Sequence, residues 1–298
     1  MKALAAYVMR GRSQAALLSS LFAVFSMILP PLSYISGAIV ALITMRRGIG
    51  EGAFIAIIAT FVLAVIAQLS TGNVAVAVVF ALMVWLPVWI LAVVLRQTVS
   101  LPLTFAVATM MVFVVVIVFH FAVGDAITWW REILDKVFAE TLEQPGMGDV
   151  GLMLENTPQF MTALMATAFF ISMMLSVCLA RWWQAALYNP GGFQEEFHAF
   201  RINTSSAILG AVILVWASVT AEVGNLASDL AVVISIYASV SGIALVHHWV
   251  TTTGANKAWL ILMYLLLAFI APQILVVLAI VGFADAWLNI RQFYGKPA

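Results

Sequence analysis

The side chains able to do chemistry are few, and most lie inside apolar sequence. His120 falls near the end of one apolar run, with Asp125 just beyond it. Asp285 sits in IVGFADAWLNIRQF, with Asn289 four residues on and Arg291 six on. On a continuous helix Asp285 and Asn289 share a face, and Arg291 is the nearest cation, able to pair with Asp285 if the helix end frays. Ser33, Tyr34 and Ser36 follow Pro30-Pro31, and Gln273 follows Pro272. Burying such groups in lipid without partners is costly, so each marks either a structural bond or a site. For His120 the alternatives are an interfacial imidazole and a substrate or proton site. For Asp285 they are a structural cap and a role in coupling or partner docking.

The motifs of several reaction classes are missing. No GxxxxGK[ST] phosphate loop occurs, so ATP hydrolysis by this chain is not expected. Gly48-Ile49-Gly50-Glu51-Gly52 follows a membrane segment instead of a strand and reads as a turn between helices. There is no HExxH, and the adjacent His247 and His248 point to different faces of a helix. No Ser/His/Asp set can be assembled on one side of a membrane. Asn203-Thr204-Ser205 matches a glycosylation sequon, but on the expected cytoplasmic side. The single cysteine, Cys178, excludes an intramolecular disulfide and a multi-cysteine metal site. With 13 basic and 13 acidic side chains there is no basic balance for nucleic acid. The expectation is a protein that is not an enzyme, with no cofactor, no metal site and no nucleic-acid partner.

The elements that must position these residues are membrane segments. Of 298 residues, 64% are hydrophobic and only 9% charged, against roughly 25% charged in ordinary soluble domains. Lipid must be the solvent for most of the surface, which gives an all-α, polytopic transmembrane helix bundle. Residues 13–45 are one apolar stretch that would be about 50 Å long as a single helix, against about 30 Å of hydrocarbon. Pro30-Pro31 breaks it. A hairpin keeps Arg46 and Arg47 on the side of Arg10 and Arg12, as the positive-inside tendency favours. No cleavage site follows the basic N-terminal residues, so this stretch reads as a retained helix. Segments 51–70, 74–95, 101–123, 158–180, 204–221 and 230–246 follow. The stretch 258–288, broken at Pro272, repeats the opening problem, and a hairpin again keeps Arg291 and Lys296 with the other cations. About 8–10 membrane segments result, with Pro-broken short hairpins at both ends.

On this reading 11 of the 13 basic side chains are cytoplasmic, the exceptions being Arg131 and Lys136. Both termini are cytoplasmic, in a bacterial plasma (inner) membrane. The polar stretch 124–157 lies outside, and its first part is amphipathic. Ile127, Trp130, Leu134, Val137 and Phe138 recur at helical spacing, which predicts a surface helix over 125–143, stopped by Gln144-Pro145-Gly146. Residues 184–203 read as a cytoplasmic loop. The small-residue faces Ser235, Ser239, Gly242 and Ala15, Ser19, Ala23 point by default to close helix packing.

Several patches resemble a known family. Gly282, Asp285, Trp287, Asn289 and Arg291 at the C-terminal end are similar to the closing motif of the YybS-like family of predicted bacterial membrane proteins of unknown function. Pro30-Pro31 followed by Met45-Arg46-Arg47-Gly48, and Phe193, Glu196, Phe197, Phe200 and Arg201, resemble the same family. That family is in turn distantly similar to the substrate-binding components of energy-coupling-factor transporters and to the cell-shape protein MreD. The resemblance implies a six-segment core over 1–183, the loop 184–203, and additional helices over 204–298. It also implies that Ala15, Ser19 and Ala23 could dock on a membrane partner. Arg46, Arg47, Arg201, Asp285 and Arg291 are then candidates for partner contact or coupling. The implied partners, beyond the lipid bilayer, are another membrane protein or a coupling ATPase.

Broken, short segments near each end of a membrane protein point to a binding site, because half-helix ends expose unpaired backbone groups. Both breaks fall in the outer half by this topology. Ser33, Tyr34, Ser36, Gln273 and His120 would offer hydroxyl, amide and imidazole groups without fixed charge, which suits a neutral or zwitterionic small molecule. The other reading of both prolines is a tight turn between short helices. The leading functional expectation is a transport-type protein that binds a small ligand and depends on a partner for energy. The second is a non-transporting scaffold in cell-envelope assembly.

Overall fold

The computed structural model describes residues 1–142 and 155–293; the expected Gln144-Pro145-Gly146 stop and Lys296 lie outside the described residues. Every regular element among them is helical, as the apolar composition requires. Six helices are long and apolar enough to cross a membrane: Ile49–Thr71, Ala75–Thr98, Leu101–Val123, Pro158–Tyr188, Leu226–Thr253 and Ala271–Leu288. The chain is an all-α polytopic bundle. It divides into two compact units, Met1–Ala108 with Ile171–Ala199, and Thr109–Phe170 with Phe200–Ala298. This division does not follow the split at 183 and 203 that the resemblance implies, because two long helices each contribute to both units.

The first unit opens with α1 (Lys2–Val8), α2 (Arg12–Phe25) and α3 (Leu32–Arg47). Pro30 and Pro31 cannot continue a helix, and α2 and α3 fold back as a hairpin. Arg47 at the end of α3 donates to the carbonyl of Met9, which brings the two basic ends together. Gly48, at φ 134°, turns the chain into α4 (Ile49–Thr71). The glycine run expected as a turn between helices makes that turn at Gly48 alone, with Gly50 and Gly52 inside α4. Gly72 closes α4 in the left-handed conformation, and Asn73 turns the chain into α5 (Ala75–Phe80), its side-chain oxygen accepting from the amide of Ala75 at 2.9 Å. A π-helical turn, Ala81–Trp85, joins α5 to α6 (Leu86–Thr98), immediately before Pro87. Proline supplies no amide there, and the extra residue of the π turn absorbs the lost helical bond.

Next come α7 (Leu101–Val123) and α8 (Ala126–Leu142), the latter matching the expected amphipathic helix. Asp125 caps α8, accepting from the amides of Ile127 and Thr128 and from the Thr128 hydroxyl at 2.6 Å. These bonds, the Thr128 hydroxyl first, hold its carboxyl below the usual carboxylate range. Then follow α9 (Pro158–Tyr188) and α10 (Gly192–His198). The segment 184–203, expected as a loop, therefore carries the last turn of α9 and a short helix.

In the second unit α11 (Thr204–Thr220) and α12 (Leu226–Thr253) begin on Asn203 and Asn225, whose side chains accept from Ser206 and Ser228. The last stretch is broken at Ile270 into α13 (Ala258–Phe269) and α14 (Ala271–Leu288). Trp259 at the start of α13 packs edge-on to Trp249, and Ile290 beyond α14 lines a small cavity with the same Trp249. The start of α13 and the end of α14 therefore meet at one end, and the pair is a hairpin. Helices α12 and α14 cross in backbone contact through Gly242 and Gly282. This is the close packing expected of the Ser239–Gly242 face.

Candidate functional site

The break at Pro30-Pro31 opens a shallow, groove-like cavity of about 580 Å³ in the first unit, with Met27, Val79 and Met83 of its wall exposed. Its walls come from the α2–α3 turn (Ser26, Met27, Pro30, Ser33), from Asn73 and the start of α5, and from the π turn (Met83, Val84). The volume falls in the range of small-molecule sites. The wall is mainly apolar, and among the described residues no charged side chain lines it. Its hydroxyls are already donating: Ser26 Oγ to the carbonyl of Ala23 and Ser33 Oγ to that of Pro30, each at 2.7 Å. Their oxygens remain as acceptors, while Asn73 uses Oδ1 on Ala75 and keeps its amide NH₂ as a donor. The wall thus offers an apolar surface with a few hydrogen-bonding groups.

Of the five residues expected to face a ligand, Ser33 alone lines this cavity. Tyr34 is half-buried beside it. Ser36 is fully buried between helices and does not line this cavity. It donates to the carbonyl of Ser19 at 2.7 Å and accepts from Trp85 Nε1 at 2.9 Å. This bond ties α3 to the last residue of the π turn, one position from the cavity wall. Gln273 is exposed in the first turn of α14, in the second unit.

His120 belongs to the second unit, and its partner there is Asp229, not the nearby Asp125. His120 Nε2 lies 2.7 Å from Asp229 Oδ2, with the side chains 12% and 1% exposed. Asp229 was expected in an outer loop before a segment starting at residue 230. The Asn225 cap starts α12 four residues earlier, and Asp229 turns inward from the first turn. Sequence reasoning missed this residue, although Asn225 before an apolar run is a helix-start signal.

The candidates for partner contact are engaged within the protein. Ala15, Ser19 and Ala23 are fully buried against the rest of the first unit, with Ser19 bonded to Ser36 of α3. Within the first unit this face packs internally, with Ser19 against α3, as the packing alternative describes. Arg46 lies over the Tyr188 ring, 3.8 Å from its centroid, and Arg47 is spent on the Met9 carbonyl. In the second unit Arg201 donates to Asn289, and Arg291 donates to Asp285 Oδ2 at 2.9 Å and to the carbonyl of Phe200. Asp285 and Asn289 do not share a helix face, because α14 ends at Leu288 and Asn289 takes the left-handed conformation at φ 49°. That turn brings Arg291 back onto Asp285, which is fully buried. Asp285, Asn289, Arg291, Phe200 and Arg201 thus form one connected network, in which Asp285 Oδ1 is left without a hydrogen-bond partner among the described residues.

No cluster that could hold a metal ion occurs among the described residues. A family model described as a predicted membrane protein (DUF2232) matches residues 17–286, a span that includes the cavity, the His120–Asp229 pair and Asp285. No curated protein and no solved structure matches the chain.

Proposed function

The chain belongs to the DUF2232 family of predicted membrane proteins, and from that premise we propose that it is a transport-type protein whose first unit binds a small neutral or zwitterionic ligand. The observation that carries this reading is the cavity at the Pro30-Pro31 break. Its size, its apolar wall and its uncharged acceptors and donor fit such a guest, and a polyanion would find no cation there. The adjoining π turn adds support, since such turns recur where a helix serves a site. In this reading the Pro30 end faces outward from a bacterial inner membrane, both termini are cytoplasmic, and the chain is not an enzyme.

The resemblance to the YybS-like family, and through it to substrate-binding components that work with a coupling ATPase, belongs to the same proposal. A scaffold comparable in role to MreD is the competing reading. Thermal-shift screening of the purified protein against metabolites, run beside a pull-down from membranes, separates the two. Stabilisation by an uncharged metabolite supports the transport reading. Recovery of envelope-assembly proteins without any ATPase, together with no stabilising metabolite, replaces it with the scaffold.

A further inference from the structure

The second unit holds an ionisable pair that the cavity reading does not use. His120 in the last turn of α7 meets Asp229 in the first turn of α12, at 2.7 Å, with Asp229 almost wholly buried. The imidazole lies beside an aromatic group: Phe119 packs against Trp129 and Trp130 at centroid distances of 5.2 and 5.9 Å, and Trp130 Nε1 donates to Thr162. Among the described residues no other charged group joins the pair. On α8, Arg131, Glu132, Asp135 and Lys136 are exposed, and Asp125 is bound to the start of α8. In the α11–α12 turn Glu222 is exposed, and α11 and the 158–170 part of α9 carry no titratable side chain.

The charge count of the pair then depends on one proton. With a neutral imidazole donating from Nε2, the pair carries the whole negative charge of a buried carboxylate. With a second proton on Nδ1, an imidazolium faces the carboxylate and the pair is neutral. In a medium of low dielectric the second state avoids an uncompensated buried charge. Histidine is the side chain whose charge ordinarily changes between about pH 5 and 8. His120 stands in the last turn of α7 and keeps 12% of its side chain at the protein surface.

We propose that His120 and Asp229 form a proton-binding site that takes up one proton from water at His120 Nδ1 and thereby sets the strength of the α7–α12 junction. The site binds and releases a proton with no other bond made or broken. Ionisable groups within membrane segments are costly and concentrate along proton and substrate paths. The two readings are independent: the cavity could bind a ligand without proton uptake, and the pair could bind a proton with the cavity empty.

The test is a ring-nitrogen NMR titration of ¹⁵N-histidine-labelled full-length protein in lipid nanodiscs, with His120→Gln identifying the His120 signals. The expected result is that His120 passes reversibly between a singly protonated ring and an imidazolium as pH falls, and that Asp229→Asn weakens its proton affinity about tenfold or more, as loss of a carboxylate in contact should. A His120 ring that stays singly protonated throughout, or that titrates identically in Asp229→Asn, overturns the proposal and leaves a structural hydrogen bond. Should Asp229→Asn not fold, the double variant His120→Asn/Asp229→Asn replaces it. The wild-type melting temperature is then expected to vary with pH over the His120 transition, and that variation to vanish in the double variant. Persistence of the variation there overturns the proposal equally.

Discussion

Substituting alanine at Gly242 or Gly282 tests the packing on which the second unit depends. A Cβ on Gly242 would sit 2.1 Å from the carbonyl oxygen of Leu278, and one on Gly282 would sit 2.0 Å from that of Ala238. Carbon–oxygen contacts between helices settle near 3.3–3.6 Å, so α12 and α14 would have to separate by roughly 1 Å or more. The obstacle is backbone in both cases, so no rotamer change relieves it. A gap of that size forfeits a quarter to a half of each dispersion contact across the seam, and the seam includes the buried Leu278, Ala279 and Phe283. Overpacking typically costs about 1–3 kcal/mol, and the rigid obstacle places both variants at the upper end, about 2–3 kcal/mol. The two share one interface, so the double variant should cost less than the sum. Gly50 is the control: it is helical with nothing within 4 Å of an added Cβ, and Gly50→Ala should stabilise by roughly 0.5–1 kcal/mol. Reversible unfolding by SDS in mixed micelles, followed by circular dichroism, measures all four. The reasoning fails if Gly242→Ala and Gly282→Ala both lie within about 0.5 kcal/mol of wild type, the scatter of neutral surface changes.

Arg291→Gln leaves the fully buried Asp285 without its cation and should destabilise by about 3 kcal/mol in the same unfolding assay; Asp285→Asn should cost less, because Arg291 keeps the Phe200 carbonyl. Asp125 has a lowered folded pKa, so its stabilising effect is complete above the ordinary carboxylate range and is lost as pH falls through the lower folded value. Thermal melts across acid pH should show that loss in wild type and a flatter profile in Asp125→Asn. Fusions at Ala298 should give fluorescent protein but inactive phosphatase if the C-terminus is cytoplasmic, and an active phosphatase would reverse the orientation used here.

Legibility in the sequence followed the range of the interactions. The proline breaks, the helix over 126–142 and the membrane segments depend on local pattern, and the structure has helices at each. The cavity at Pro30-Pro31 was approached through the same local signal, and Ser33 lines it. The bonds of Ser36 were not legible, because its partners, Ser19 and Trp85, are 17 and 49 residues away. Asp229 was missed for a similar reason: its partner lies 109 residues away. The Asn225 cap could have put it on a helix, but nothing local names His120. Neither the π turn at Ala81–Trp85 nor the left-handed Asn289 has a firm sequence signature. Each decides which side chain reaches a site, Met83 and Val84 in one case and Arg291 in the other.

The central claim is that a small uncharged molecule occupies the cavity at the α2–α3 turn. The most direct measurement compares melting temperatures of wild type and Ala75→Trp, a substitution in the cavity wall, across one library of neutral, zwitterionic and anionic metabolites. A ligand present at 100 times its Kd should contribute about 2.7 kcal/mol to the wild type. The account predicts that at least one neutral or zwitterionic compound raises the wild-type melting temperature by several degrees and leaves Ala75→Trp unchanged. Stabilisation of both proteins alike, or by anions only, would contradict it.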